Sequence, residues 1–348
     1  MQKSVGILGI GSYVPETIIT NADIEKVLDT SDQWIVERTG IRQRRVAKKG
    51  EATSDFATRA AEKALQDAGV NAWELDLIIV ATVTPDMFFP SVACLVQENL
   101  QATKAAAFDL TAVCSGFLYG LVTGSTFIQS GTYKKVLVIG AETLSSITDW
   151  QDRNTAILFG DGAGAVVLGE VADGYGILGA HLGADGAGGD LLKVPAGGSR
   201  LPASSETVAE RLHFTHMDGS EVFKFAVKAM GEAANLALDK AKLVPSDISY
   251  LVPHQANLRI IQSAAKRIGI LPEQIIINLD KYGNTSAASV PIALDEAVKS
   301  GRINDGDVLI SVGFGGGLTW GAAVIKWKGQ ASIDDRKKGE VNGTECNK

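Results

Sequence analysis

Residues 105–129 read AAAFDLTAVCSGFLYGLVTGSTFIQ. The run Ala105–Leu110 is strand-like, a short break follows, and from Ser115 to Gln129 the chain reads as a helix rich in small residues. A strand passing into a helix within a few residues is the building unit of parallel sheets covered by helices. Cys114 lies in the break, after the strand and before the helix. A thiol there feels the positive end of the helix dipole, which favours thiolate over its ordinary pKa of about 8.5. The small residues after it permit close helix packing and leave room beside the thiol. Burial as a small hydrophobe is the other common fate of a free cysteine, and the segment alone leaves both open.

Outward from this unit the alternation continues. A helical stretch Ser54–Ala68 leads to the apolar run Leu77–Ala81; Val136–Ile139 follows as a buried strand, and Gly160–Leu168 closes the half. The same order then recurs, with helix Ser220–Ala241, strand Tyr250–Val252, helix Leu258–Ile268, short strand Ile275–Asn278, helix Ser286–Lys299, strand Val308–Val312 and a closing stretch Gly313–Trp327. Ile79-Val80 matches Leu251-Val252, and Val136-Leu137 matches Val308-Leu309, both displaced by 172 residues. The expected architecture is α/β, with similar halves at 1–172 and 173–328 whose strand carboxyl ends face a shared cleft. Residues 329–348 hold almost no apolar side chain and read as a disordered tail, with Cys346 an incidental thiol in it.

Bulk properties narrow the function. A formal net charge of -7 argues against wholesale nucleic-acid binding, so an anionic partner must find a local basic patch. No apolar run reaches the roughly 18–20 residues that span a bilayer. The first residues, MQKSVGILGIGSYVPE, lack a signal-peptide cleavage pattern. Three cysteines, with no CxxC spacing, cannot make a disulfide framework. The expectation is a cytosolic protein with reduced thiols. GILGIGSYVP imitates a dinucleotide-binding turn, but Val14 stands where the third glycine belongs and Pro15 replaces the helix start.

His254 follows the strand Tyr250–Val252, at the carboxyl end where such sheets place their chemistry, and is either a satisfied structural histidine or a functional one. Asn284, in KYGNTSAAS, reads alone as a helix cap. Together with a nucleophilic cysteine, one histidine and one asparagine can support thioester formation and then hold an enolate oxygen between two donors. The run Gly315-Gly316-Gly317 is either a turn or a set of backbone N–H groups lining an oxyanion site. Cys94, mid-helix, fits burial rather than chemistry. His213 and His216 have no evident third ligand for a metal. Arg38, Arg42, Arg44, Arg45, Lys48 and Lys49 form a basic stretch beside Trp34. It is either a solvated face or a landing strip for a phosphate-bearing or acidic partner.

Six segments in order, DTSDQWIVERTGIRQRR, AVCSGF, FGDGAGAVV, PHQANLR, YGNTSAAS and VGFGGGLTWG, resemble β-ketoacyl-acyl carrier protein synthase III. The resemblance runs from Gly6 to Trp327. It implies a thiolase-like αβαβα fold and a decarboxylating Claisen condensation that starts type II fatty-acid synthesis in the cytoplasm. It further implies that Cys114 takes an acyl group from acyl-coenzyme A, with the Cys114 and Gly316 N–H groups as the oxyanion site. His254 and Asn284 would hold the malonyl thioester as it loses CO2. Trp34 and Arg153 would flank the adenine of coenzyme A, with Thr30 and Arg38 beside the nucleotide and Asn257 near the pantetheine arm. Lys224, Arg259, Lys266 and Arg267 would form the acyl carrier protein patch, and Phe89 would close the partner's acyl pocket across a homodimer. No cofactor or metal is implied, since coenzyme A enters as a substrate thioester.

The segments also weigh the rivals. A thiolase would need a second cysteine in the loop FGGGLTW, and chain-elongating synthases carry a second histidine where Asn284 stands. Synthase III-like and chalcone-synthase-like enzymes of specialised metabolism share the Cys-His-Asn set. A degenerate scaffold for the carrier protein would be expected to lose the nucleophile.

Overall fold

LIIVA at Leu77–Ala81 and VLVIGAE at Val136–Glu142 are buried along their whole length, as strands covered on both faces must be. The computed structural model describes residues 3–329. Its first half runs β1 (Val5–Tyr13), β2 (Thr17–Thr20), α1 (Asn21–Glu25), α2 (Asp32–Thr39), β3 (Gln43–Val46), α3 (Thr53–Ala68), β4 (Leu77–Ala81), α4 (Val92–Asn99), β5 (Ala106–Leu110), α5 (Gly116–Gln129), β6 (Val136–Glu142), α6 (Arg153–Ala156) and β7 (Gly162–Glu170). The second runs β8 (Gly176–Ala184), β9 (Leu192–Lys193), α7 (Ser205–Ala209), β10 (His216–Met217), α8 (Gly219–Ala241), β11 (Tyr250–Pro253), α9 (Leu258–Ile268), α10 (Leu279–Tyr282), α11 (Ser289–Lys299), β12 (Val308–Gly315) and β13 (Thr319–Lys326). Beyond Gly329, the tail read from sequence lies outside the described residues, and Cys346 with it.

Two sheets carry the fold, one in the order β1-β7-β6-β4-β5 and one in the order β11-β12-β13-β8. Helices α5 and α11 lie between them, and the central core joins residues of both sheets and both helices. Helices α3 and α4 cover the outer face of the first sheet, α8 and α9 that of the second. This gives five layers, αβαβα. Helix α5 fits the centre because its glycines let it sit close: a Cβ at Gly120 would meet Val138 at 2.8 Å, and one at Gly124 would meet Leu168, Val136 and Val138 at 3.1 Å. The small residues are therefore used for packing against strands.

The repeat extends to strand register. Ile79↔Val138 and Val80↔Ile139 in the first sheet become Leu251↔Ile310 and Val252↔Ser311 in the second, each position displaced by 172. One expected strand is missing. Ile275–Asn278 keeps a single parallel bridge, Leu251↔Ile275, because side chains take the groups a strand would pair. Gln255 Nε2 donates to Ile276 O at 3.1 Å, Asn278 N donates to Gln255 Oε1 at 3.1 Å, and Arg302 donates to Ile275 O at 3.1 Å.

Both central helices begin in the same strained way. A 3-10 turn precedes each, Val113–Ser115 before α5 and Ser286–Ala288 before α11, and its first residue has a positive φ, +46° at Val113 and +47° at Ser286. A β-branched residue with φ in this region is a true outlier, and such strain is kept where the surroundings over-determine it. The two turns meet at the middle of the molecule.

Candidate active site

Cys114 is buried in the first of these turns. The end of β12 presses on it from the other half, since a Cβ at Gly315 would come within 2.6 Å of Cys114 N. Only glycine fits there. Thr319 ties the loops together: Ser115 Oγ donates to Thr319 Oγ1 at 2.8 Å, and that hydroxyl lies 2.9 Å from Ala112 O and 3.1 Å from Gly316 O. Burial pushes the thiol up to about 12, and the charge of Glu142 adds to the rise while the Ser286 hydroxyl opposes it. The sequence expectation of a favoured thiolate is thus corrected. A resting Cys114 keeps its proton, because desolvation of the anion outweighs what the turn offers it.

His254 leaves the end of β11 and is buried. Burial lowers its pKa to about 3, so the ring is neutral near pH 7. Ser289 Oγ, at the start of α11, lies 2.7 Å from His254 Nδ1 and already accepts the Gln255 N–H at 3.3 Å. When the serine proton goes to Nδ1, Nε2 carries the N–H of the ring; the reverse direction would leave Nε2 as an acceptor. Nε2 is buried and has no hydrogen-bond partner among the described residues. Phe314 fixes the ring orientation edge-on, with centroids 5.6 Å apart.

Asn284 is held by its backbone against the loop before β7: Asn284 N donates to Leu158 O at 2.8 Å, and Gly160 N donates to Asn284 O at 3.0 Å. Its Oδ1 accepts the Ser286 N–H at 2.8 Å. The helix cap expected from sequence is not made, since Thr285 and Ala288 hold the N-cap positions. The Asn284 bond is a local turn two residues long, and it orients the amide so that Nδ2 remains a donor. The site then offers an amide donor, a neutral imidazole and one thiol.

Cys114, His254 and Asn284 line one cavity of about 1400 Å³, with Phe314 beside them and Trp34, Arg38, Asn257, Lys224 and Arg259 farther along its wall. At Trp34 the guanidinium of Arg38 stands 4.7 Å from the ring centroid and that of Arg153 stands 4.8 Å away. A flat base entering between Trp34 and Arg153 must part them. Asn257 is the N-cap of α9; its Oδ1 accepts Arg259 N and its Nδ2 donates to Arg38 O, both at 2.9 Å. Thr30 does not line the cavity, and its hydroxyl is buried without a partner among the described residues.

The basic residues divide. Lys224 and Arg259 are exposed at the cavity wall, whereas Lys266 and Arg267 are exposed in the last turn of α9 and outside it. Arg259 and Lys266, seven residues apart, share one face of that helix. Lys228, one turn beyond Lys224 and also exposed, escaped the sequence reading although its i,i+4 spacing signals it. Arg44 leaves the proposed landing strip altogether. It is fully buried and donates to Ile19 O, Asn21 Oδ1 and Ile157 O, bracing the antiparallel pair β2–β3. Cys94 is exposed, contrary to expectation, because it faces outward from α4. His213 lies 2.9 Å from Thr207 Oγ1, and among the described residues no group of His, Cys, Asp and Glu could hold a metal. Phe89 is 84% exposed and Phe88 85%, beside the unpaired edge strand β5.

Glu142 was not singled out in the sequence either. The signal available was a lone carboxyl ending the apolar run VLVIGA.

The description 3-oxoacyl-[acyl-carrier-protein (ACP)] synthase III fits residues 108–186, and that of its C-terminal part fits residues 238–327. A β-ketoacyl-[acyl-carrier-protein] synthase III from Caldanaerobacter subterraneus subsp. tengcongensis is 60% identical over 324 residues, 93% of this chain and 98% of that protein. The chain belongs to the β-ketoacyl-[acyl-carrier-protein] synthase III family. It is an acyltransferase of the condensing type, acting at the start of type II fatty-acid synthesis. The crystal structure of the Thermus thermophilus synthase III superposes with a TM-score of 0.88 at 50% identity, covering 93% of this chain and all of that one. The priming β-ketosynthase of the R1128 polyketide pathway reaches 0.87 at 35% identity, covering 94% of this chain and 97% of that one. No described helix is long and apolar enough to cross a membrane.

Proposed function

We propose that Cys114 attacks the thioester of a short acyl-coenzyme A and carries the acyl group, and that His254 and Asn284 then hold malonyl-acyl carrier protein for decarboxylation. The carbonyl oxygen of the first thioester gains negative charge as sulfur adds, and the N–H groups of Cys114 and Gly316 are assigned to it. Coenzyme A leaves. The malonyl thioester oxygen is assigned to His254 Nε2–H and Asn284 Nδ2–H. Loss of CO2 puts charge on that oxygen as an enolate, and two fixed donors on buried side chains stabilise it without reorganising. The enolate carbon attacks the acyl carbon on Cys114 and frees the β-ketoacyl product on its carrier. The route uses no strong base and needs no cofactor.

The observation that carries this reading is the convergence in one cavity of a buried thiol, a neutral histidine with an unpartnered Nε2 and an asparagine whose oxygen is already engaged. Trp34, Arg38 and Arg153 suit the nucleotide end of coenzyme A. Lys224 and Arg259 at the wall, with Lys266 and Arg267 beyond, suit an acidic carrier protein. The uncovered Phe89 and the free edge of β5 suit a second copy of the chain, making a homodimer that works in the cytoplasm. Identities of 53–60% to several synthase III relatives, against 35% to the R1128 enzyme, favour fatty-acid synthesis over specialised metabolism.

Intact-protein mass spectrometry after mixing with acetyl- or isobutyryl-coenzyme A tests the assignment. An acyl adduct on wild type, mapped to Cys114 and lost as a thioester in Cys114→Ser, is the expected result. No adduct with either donor on folded protein would overturn the choice of short acyl-coenzyme A as primer.

A further inference from the structure

Glu142 ends β6 and its side chain is fully buried, in a place where carboxylates seldom stand without a counter-charge. None of the ion pairs among the described residues involves it. Oε2 accepts from Thr84 Oγ1 at 2.7 Å, Val83 N at 3.1 Å and Thr82 Oγ1 at 3.2 Å. Oε1 is buried without a hydrogen-bond partner among the described residues, and so is Ser286 Oγ. The Ser286 turn packs against both β6 and the Cys114 turn, which puts this hydroxyl beside the Glu142 carboxyl and the Cys114 thiol; at rest it hydrogen-bonds to neither, and a rotation of its side chain is what bridges them. Ser286 is set there by its positive φ and by its N–H on Asn284 Oδ1. The cluster is a thiol, a hydroxyl and a carboxyl, all buried and meeting where the two turns touch.

We propose that Glu142 takes up the thiol proton of Cys114, passed through the Ser286 hydroxyl, and stores it while the cysteine carries the acyl group. The inference rests on Cys114 being the nucleophile. As sulfur bonds to the thioester carbon, the Cys114 proton moves to Ser286 Oγ and the serine proton moves to Glu142 Oε1. The bond from the carbonyl carbon to the coenzyme sulfur breaks, and coenzyme A leaves with the electron pair and takes a proton from water. In the second half-reaction the enolate carbon bonds to the acyl carbon and the C–S bond to Cys114 breaks. The departing thiolate recovers its proton by the reverse path, and Glu142 is a carboxylate again. During attack, negative charge is moved within the pocket and no second buried charge is created, which is the costly event there.

The groups facing the carboxyl are Thr82, Val83 and Thr84 after β4, Ser286 before α11, and Cys114 before α5. Thr53 of α3 and the backbone of Thr143 reach only Thr84 behind them. Of these only the carboxyl and the thiol titrate. Burial pushes the carboxyl up to about 7, a value suited to taking and returning a proton near neutrality.

The test is the rate of acyl-Cys114 formation from acetyl-coenzyme A, by rapid quench and intact mass, from pH 5.5 to 9 in wild type, Glu142→Gln and Ser286→Ala. In wild type the rate is expected to rise through about pH 7 and level off. Each variant is expected to be slower by about 10²-fold at pH 7.5 and to lose that inflection, its rate climbing with pH toward the thiol's own ionisation. If Glu142→Gln fails to fold, Ser286→Ala carries the same test. An inflection near pH 7 that survives in the folded variants overturns the relay, with Cys114 still the nucleophile. Absence of a Cys114 adduct in wild type overturns the relay and the nucleophile together, and the wild-type arm alone shows it.

Discussion

Replacing Glu142 by glutamine should change how stability depends on pH, by an amount the structure sets. The carboxyl titrates at about 7 in the folded protein against 4.5 when solvated, the shift being due first to burial. A raised folded pKa means that the native state binds the proton more tightly than the unfolded chain. That stabilisation is fully present below pH 4.5 and is lost as pH rises through 7. At about 1.36 kcal/mol per unit, the group should make wild type about 2.5 kcal/mol more stable at pH 5 than at pH 8.5. The glutamine side chain has nearly the same shape and can still accept from Thr82, Val83 and Thr84, but it does not titrate. Urea unfolding of both proteins at equal protomer concentration, at pH 5 and pH 8.5, should therefore show the variant gaining about 2.5 kcal/mol on wild type over that interval. Parallel pH dependences would refute the reasoning, since the carboxyl would then be solvated or balanced by a charge.

Other outcomes follow from the same geometry. His254→Ala should lower malonyl decarboxylation by about 10²–10³-fold, the usual loss of one oxyanion donor. In wild type that step should show no inflection near pH 6.5, because His254 stays neutral down to about pH 3; a histidine-like inflection that His254→Ala abolishes would contradict the assignment. Gly315→Ala should reduce acylation of Cys114 by more than about 10-fold, since its methyl would stand 2.6 Å from Cys114 N; wild-type acylation would show that the turn can yield. Arg259→Glu should raise KM for malonyl-acyl carrier protein while leaving the rate of acetyl transfer to Cys114 unchanged, and steady-state kinetics with the carrier would separate the two.

The layered fold was legible in the chain because its signals are local. Short, β-branched-rich apolar runs such as LIIVA and VLVIGA suit strands covered on two faces, and the spacing of 172 residues placed their counterparts. Cys114 and His254 could be singled out by position, each at the carboxyl end of a strand. The basic stretch after Trp34 misled, since Arg44 turned inward to bonds made by residues far along the chain. The strand expected at Ile275–Asn278 failed for the same reason: Gln255 and Arg302 reach its backbone only after the chain has folded.

Sequence by itself determined the alternation of elements, the duplication and the residue types available for chemistry. Tertiary structure alone decided their electrical state. Dipole reasoning from the sequence favoured a thiolate at Cys114, yet burial raises that thiol to about 12, lowers His254 to about 3 and lifts Glu142 to about 7. Those shifts depend on how much water is excluded and on which side chains face one another across the two halves. Desolvation is a property of the packed volume around a group, and no stretch of sequence contains it.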